Sequence, residues 1–443
     1  MSAACTCLQA LLRALQQRDV RPARKAALAA ACPACRLPAA GLERLTLCAR
    51  QPPRSPLDML TPLTRLTSLQ LERSFLFWTS QPADPPAADA DLPPWPADVS
   101  RLTRLQELLC EGFSAPSAHE LSRLLAPLTQ LTDLRADLVV GAGCGLPELP
   151  SLRCLYVDRL AGGGLALLNA SCTALTELHT SKLICFGATD AAARFPTLAS
   201  ADIDIDAGCR AAILSDRFSL AACLPGLQQL QIQTAALDGT LLAPLLKGLS
   251  AVHMLTATEA VTSVGDWQAL AALPSLHDLA VRVRLDRFDP VHRVQAFASC
   301  CARLTVLRLT LELHSNDLGR CVTFAAAMEG SCIERFVLTP KFESNALRPA
   351  LPTPFYERLA AWSCLTSLEM EHWCTGEQLS VLCGSPTMAH ICLAACRLRG
   401  RWTAPVGKVE KAWVDAHVEG LKKAHSAKKL RIHAFCYGSY AYE

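Results

Sequence analysis

The chain has 443 residues, 51% of them hydrophobic and 19% charged, with a formal net charge of +3. That much apolar material excludes global disorder, and the near balance of charge argues against a dedicated nucleic-acid binder, which would carry a strong basic excess. The longest uncharged stretch, Leu160 to Thr176, contains Gly162, Gly163, Gly164 and Asn169, and falls short of the ~18 apolar residues of a membrane helix.

Residues 1–40 differ in pattern from the rest of the chain. Leu8, Leu11, Leu12 and Leu15 recur at helical spacing, and a second helical stretch is predicted from Pro22 to about Ala31. A helical cap over the open end of a repeat stack is the plain reading. Arg13, Arg18, Arg21, Arg24, Lys25 and Arg36 against the single acid Asp19 also give the segment the composition of an organellar transit peptide. No secretory signal is expected, since residues 1–16 have no basic start and Arg13 interrupts the apolar run. The 22 cysteines are therefore read as reduced thiols, many of them, such as Cys154, Cys300, Cys364 and Cys392, at core or near-core positions.

From Leu42 onward the spacing LxxLxL recurs. Its first apolar residues, here called anchors, are Leu42, Leu66, Leu105, Leu131, Leu152, Leu175, Leu198, Leu227, Val252, Leu276, Leu304, Ile333, Leu365 and Met388, with Val409 and Ala427 as weaker ones. The second and third apolar residues of each unit lie two apart, on one face of a short strand. Most steps fall between 21 and 29 residues, a repeat period. The long step from Leu66 to Leu105 holds a segment rich in Pro, Ala and Asp, predicted as an inserted loop over about 79–98. Helices are predicted between anchors at Ser117 to Leu125, Leu241 to Leu249, Asp266 to Ala272, Pro290 to Cys301, Gly319 to Met328 and Phe355 to Trp362, the first opened by a Ser117/Glu120 capping box. Strand alternating with helix predicts one parallel sheet.

These units resemble the leucine-rich repeat family, in its longer helix-containing form typified by ribonuclease-inhibitor-like proteins. The resemblance covers about residues 41–400 and implies an α/β solenoid, a horseshoe with a parallel concave sheet, convex helices and an N-terminal helical cap, of about sixteen units. Residues 401–443 then form degenerate C-terminal repeats or a cap. One family feature is missing: the Asn or Cys eight residues after the anchor is replaced by Ser74, Phe113, Val139, Leu160, Leu183, Asp206 and Ala235, with Cys396 matching. Irregular turns after the strands are expected from that loss. Residues Leu8 to Cys32, with paired leucines, Asp19-Val20 and Ala23-Arg24, loosely resemble a degenerate F-box, although the opening Leu-Pro is missing.

Four motifs invite chemistry and none sustains it. Gly141-Ala-Gly143-Cys-Gly145 has Leu146 where a dinucleotide turn needs its third glycine, and Pro147 and Pro150 bar the helix that would hold a phosphate. Cys32-Pro-Ala-Cys35 is half a zinc site, but Cys5-Thr-Cys7 has the wrong spacing for the other half. His372 and Cys374 flank Trp373 as packing residues, and Asn169-Ala-Ser171 is a sequon that matters only on the secretory route. No enzyme, cofactor or metal is expected.

What remains is the open face of the sheet, at anchor +2, +4 and +6. Those positions give an acidic stretch of Glu72, Glu107, Glu111, Asp133, Arg135, Asp137, Tyr156, Asp158, Glu177, His179, Asp202 and Asp204. Arg282, Arg308 and Arg335, with Arg284 beyond the strand end, give a basic stretch. Glu369 and Glu371 come next, then Lys411, Lys429, Arg431 and His433. Clusters of one sign steer complementary partners. The expectation is a monomeric, non-catalytic scaffold or recognition module binding a protein on the concave face, in the cytoplasm or alternatively at the cilium axoneme, cytoskeleton or nucleus. The alternative is an F-box-type substrate receptor of a cullin ubiquitin ligase, with residues 1–40 docking the adaptor.

Overall fold

The computed structural model describes residues 43–49, 65–73, 95, 97–111, 117–141, 145–183, 190–204, 211, 213–215, 219–233, 241–260, 263–284, 291–313, 318–342, 351–397, 418–424 and 431–434. The predicted helices of residues 1–40, their F-box-like and transit readings, Cys32 and Cys35, and the Val409 unit lie outside these residues. The chain divides into two compact units, Met1–Leu198 and Ala199–Glu443.

The first unit holds β1 (Arg44–Ala49), β2 (Ser68–Arg73), β3 (Glu107–Glu111), β4 (Asp133–Val140), β5 (Cys154–Leu160) and β6 (Glu177–Leu183). The second holds β7 (Ser200–Asp204), β8 (Gln229–Gln233), β9 (Met254–Ala260), β10 (Asp278–Arg284), β11 (Val306–Leu313), β12 (Arg335–Phe342), β13 (Ser367–Thr375), β14 (His390–Arg397) and β15 (Arg431–Ala434). Within each unit the strands pair in parallel in chain order, and the sheet does not close on itself. Each of β1 to β14 begins two residues after its anchor, so the repeat spacing places every one of them. The Ala427 anchor is off by two: Arg431 is the register partner of His390, which puts Arg431 rather than Lys429 at the +2 place.

The apolar rows are the reason for the regularity. The +3 row runs Leu69, Leu108, Leu134, Leu155 and Leu178 in the first unit and Leu230, Leu255, Leu279, Leu307, Phe336, Leu368 and Ile391 in the second, all buried. A strand with one such row would expose it; a neighbour on each side covers it, at about 2 kcal/mol per buried leucine. The backbone closes each step in the same way. Glu43 O accepts from the amides of Thr67 and Ser68, Gln106 O from Thr132 and Asp133, and Arg153 O from Thr176 and Glu177. A threonine hydroxyl adds a third bond to the same carbonyl at Thr67, Thr132, Thr176, Thr305 and Thr366, over 3.0–3.3 Å. The pairing is interrupted by register shifts in three strand pairs, at Ala136/Val139, Val281/Arg282 and Met370/Trp373.

Helices return the chain between strands: α1 (Ala118–Leu125), α2 (Gly164–Ser171), α3 (Leu220–Cys223), α4 (Leu242–Leu246), α5 (Val264–Ala272), α6 (Val291–Cys301), α7 (Leu318–Ala327), α8 (Thr353–Ala360) and α9 (Gly376–Gly384). The Ser117/Glu120 capping box opens α1, and Ser263/Asp266 and Thr375/Gln378 boxes open α5 and α9. In the second unit an aromatic seam fills the helix side: Trp267 meets Phe297 edge-on at 4.6 Å, and Phe297 lies 5.1 Å from Phe324. Residues 79–94 and 96 of the predicted inserted loop lie outside the described residues; where the chain is described again, Trp95 and Val99 are buried and Ala97–Arg101 forms a 3-10 turn. After Gly145 no helix begins until Gly164 among the described residues, so the glycine cluster has no phosphate-binding helix. No described helix is long and apolar enough to cross a membrane.

Candidate functional site

The open face of the first unit is a small grid. Parallel register sets Glu107, Asp133, Cys154 and Glu177 side by side in the +2 row, and Leu109, Arg135, Tyr156 and His179 side by side in the +4 row. Side chains two apart on one strand share a face, so each member of one row lies over its neighbour in the other.

In the +4 row three flat groups stack. The Arg135 guanidinium carbon lies 4.2 Å from the centroid of the Tyr156 ring. On its other side Tyr156 lies parallel to His179, with centroids 3.9 Å apart and planes within 3°. Arg135 is fixed from the row below: its Nε donates to Asp133 Oδ1 at 3.2 Å and its Nη2 to Oδ2 at 3.4 Å. These bonds to Asp133 hold the guanidinium above its ordinary pKa, and partial burial pushes the Tyr156 phenol up.

The +2 row places a thiol among carboxylates. Cys154 Sγ donates to Glu177 Oε2 at 3.5 Å, and His179 Nε2 lies 3.9 Å from the same oxygen. Burial, and then the charges of Asp133 and Glu177, push the Cys154 thiol up to about 12. It is a neutral donor rather than a nucleophile under ordinary conditions. Glu177 is 52% exposed and His179 20%, so the cluster opens to solvent through them.

The acidic stretch is only partly a bare acidic surface. Asp133 is occupied by Arg135, and Asp158 pairs with Arg159 Nε at 3.1 Å. Glu107, Asp137 and Glu177 are exposed. Asp202 lies on β7 in the second unit, where Gln231 Nε2 donates to its Oδ2 at 3.0 Å. Glu111 and Asp204 sit on their predicted strands, whereas Arg284, expected beyond the strand end, is the last residue of β10; the side chains of all three lie outside the described residues.

The basic stretch is an ion-pair ladder. Arg308 Nη1 and Nη2 donate to the two oxygens of Asp278 at 2.9 and 3.0 Å, across β10 and β11. Arg282 pairs with Glu312, and Arg335 Nη2 donates to Glu369 Oε2 at 3.3 Å. Arg282, Arg308 and Arg335 thus each face a carboxylate on the neighbouring strand. Locally the charges cancel, and the steering expected from a basic patch is weakened.

Sequence reasoning missed Cys154 and Asp278 as members of this face. Both sit at anchor +2, a position read as outward, but a cysteine at a repeat position reads as core, and Asp278 was passed over beside the arginines of its own and the next strand. The signal available in the sequence was that anchor +2 spacing, which sets Cys154 beside Glu177. Comparison with protein-family models and with curated proteins gives no match.

Proposed function

We propose that the chain is a non-catalytic leucine-rich repeat protein that binds a protein partner on the open face of its first unit. The observation that carries this reading is the Arg135–Tyr156–His179 stack. Arginine and tyrosine are the side chains that most often dominate binding energy at protein interfaces. Here they are held in place before binding by stacking and by Asp133, so little side-chain freedom remains to be lost when a partner docks. The exposed carboxylates of Glu107, Asp137 and Glu177 surround the stack, which favours a partner segment carrying lysine or arginine.

The non-catalytic reading rests on the chemistry present. The Cys154 thiol beside His179 is kept neutral by burial and then by its acidic neighbours, whereas a nucleophilic cysteine needs an environment that favours thiolate. Repeat spacing over fourteen successive strands supports the leucine-rich repeat reading.

The test is affinity capture with the full chain beside Tyr156→Ala/Glu107→Lys and, as a control on the other face patch, Arg335→Ala, all checked for folding by circular dichroism. A partner retained by the intact chain and the control but lost by the double variant supports the reading. Identical capture by all three proteins would overturn it.

A further inference from the structure

We propose that Cys154, Glu177 and His179 form a zinc-binding site on the open face of the first unit. The site shares Glu177 and His179 with the proposed partner surface but does not rest on that reading, because the free chain would bind the metal.

The argument starts from the three donor types. A thiolate with an imidazole and one carboxylate is a borderline-soft set that suits Zn²⁺ and disfavours Mg²⁺ or Ca²⁺, which prefer oxygen alone. Zinc bonds of about 2.3 Å to sulfur and about 2.1 Å to nitrogen or oxygen, at tetrahedral angles, put S and O about 3.6 Å apart and N and O about 3.4 Å apart. The observed separations are 3.5 Å for Cys154 Sγ to Glu177 Oε2 and 3.9 Å for His179 Nε2 to the same oxygen. All three donor atoms lie within 4.8 Å of one another. The triangle therefore needs to contract by little more than a side-chain adjustment.

The backbone makes this arrangement cheap to keep. Cys154 and Glu177 are register partners on adjacent parallel strands, and His179 lies two residues beyond Glu177 on the same face. Tyr156, the register partner of His179, lies flat against its ring and fixes the imidazole plane. The thiol hydrogen now directed at Glu177 Oε2 occupies the place a metal would take, and on binding it leaves to solvent. Three protein ligands leave a fourth position, open on the side of the exposed Glu177, for water. A closed structural site has four protein ligands, so this one belongs to the open class.

The experiment titrates the reduced, metal-stripped full chain with Co²⁺, followed by optical absorption, and then displaces the cobalt with Zn²⁺. One Co²⁺ per chain should produce a thiolate-to-cobalt charge-transfer band and the visible bands of a tetrahedral ion, both removed by stoichiometric Zn²⁺. Cys154→Ser should abolish the charge-transfer band. Glu177→Gln alters an exposed side chain and so tests the site without threatening the fold; it should weaken Zn²⁺ binding at least tenfold, since even changes behind the ligands cost that much. The Cys32→Ser/Cys35→Ser and Cys332→Ser variants should leave the band intact. Absence of a cobalt–thiolate band, its survival in Cys154→Ser, an unchanged affinity in Glu177→Gln, or its loss with Cys32 and Cys35 would each overturn the site; in the first case the cluster is a thiol–carboxylate hydrogen bond and nothing more.

Discussion

Arg308 grips Asp278 with both terminal nitrogens, at 2.9 and 3.0 Å, across two adjacent parallel strands. The carboxylate is 7% exposed and the guanidinium 38%. Removing Arg308 would strand a nearly buried negative charge, which is far more costly than breaking a solvated pair. Arg308→Ala should therefore lose about 2–3 kcal/mol. Arg358→Ala, which breaks the exposed pair with Glu329 at 2.8 Å, should lose under about 1 kcal/mol. Urea unfolding of the two variants in parallel compares them, and equal losses would mean that Asp278 finds water or another donor.

Two glycines make opposite predictions. A Cβ on Gly164 would stand 2.7 Å from the Val140 carbonyl oxygen, a backbone atom that itself accepts from Ala161 N and cannot step aside. Gly164→Ala should cost about 1–3 kcal/mol. A Cβ on Gly319, near the start of α7, would meet nothing within 4 Å, so Gly319→Ala should gain roughly 0.5–1 kcal/mol by restricting the unfolded chain. Thermal unfolding of both variants checks the pair; stabilisation by the first would show that the β5–α2 turn is held less closely against the end of β4 than its packing implies.

Capping boxes provide a third comparison. In α1 the Ser117 hydroxyl meets the exposed Glu120, whereas in α5 the Ser263 hydroxyl donates to Asp266 Oδ2 at 2.6 Å and Asp266 is buried. Losing the hydroxyl costs about 1 kcal/mol as a cap in either helix, and Ser263→Ala additionally deprives a buried carboxylate of a donor. Ser263→Ala should be the more destabilising by about 1 kcal/mol or more, as read from denaturant midpoints; the reverse order would show that Asp266 is served by its other partners.

The sequence predicted the strands far better than the face they present. Leucine spacing reports the buried row directly, which is why Leu66, Leu131 and Leu304 place β2, β4 and β11 to the residue. Helices with a polar side, such as α1 and α6, were equally legible. Gly164–Ser171 was missed because two glycines precede it and a third opens it, and Leu165, Leu167 and Leu168 give no one-sided pattern; its start is instead capped from afar, by Asp190 accepting from Gly163 N at 2.7 Å and Ala166 N at 3.2 Å. The charge pattern was misleading for the same reason. Arg308 and Asp278 are 30 residues apart in the chain, and only register shows that they neutralise each other.

The buried thiols give the chain a pH limit. Burial alone pushes the Cys172 thiol from an ordinary 9.0 up to about 12, so the fold favours the neutral form. A group with a raised pKa in the folded state contributes in full below its unfolded value and loses that contribution as pH climbs toward the folded one. The window here is pH 9 to 12. At pH 10 the loss from Cys172 is about 1.4 kcal/mol, and Cys110 and Cys301 are shifted in the same direction by burial. Cys172→Ala lowers stability at every pH by leaving a small void, so the informative quantity is the change between pH 8 and pH 10. Hydrogen exchange of the β5 and β6 amides reports it for this unit alone. The intact chain should lose more protection over that interval than the variant, by about tenfold in exchange rate. Parallel pH dependence in the two proteins would show that the Cys172 thiol already reaches solvent in the folded state.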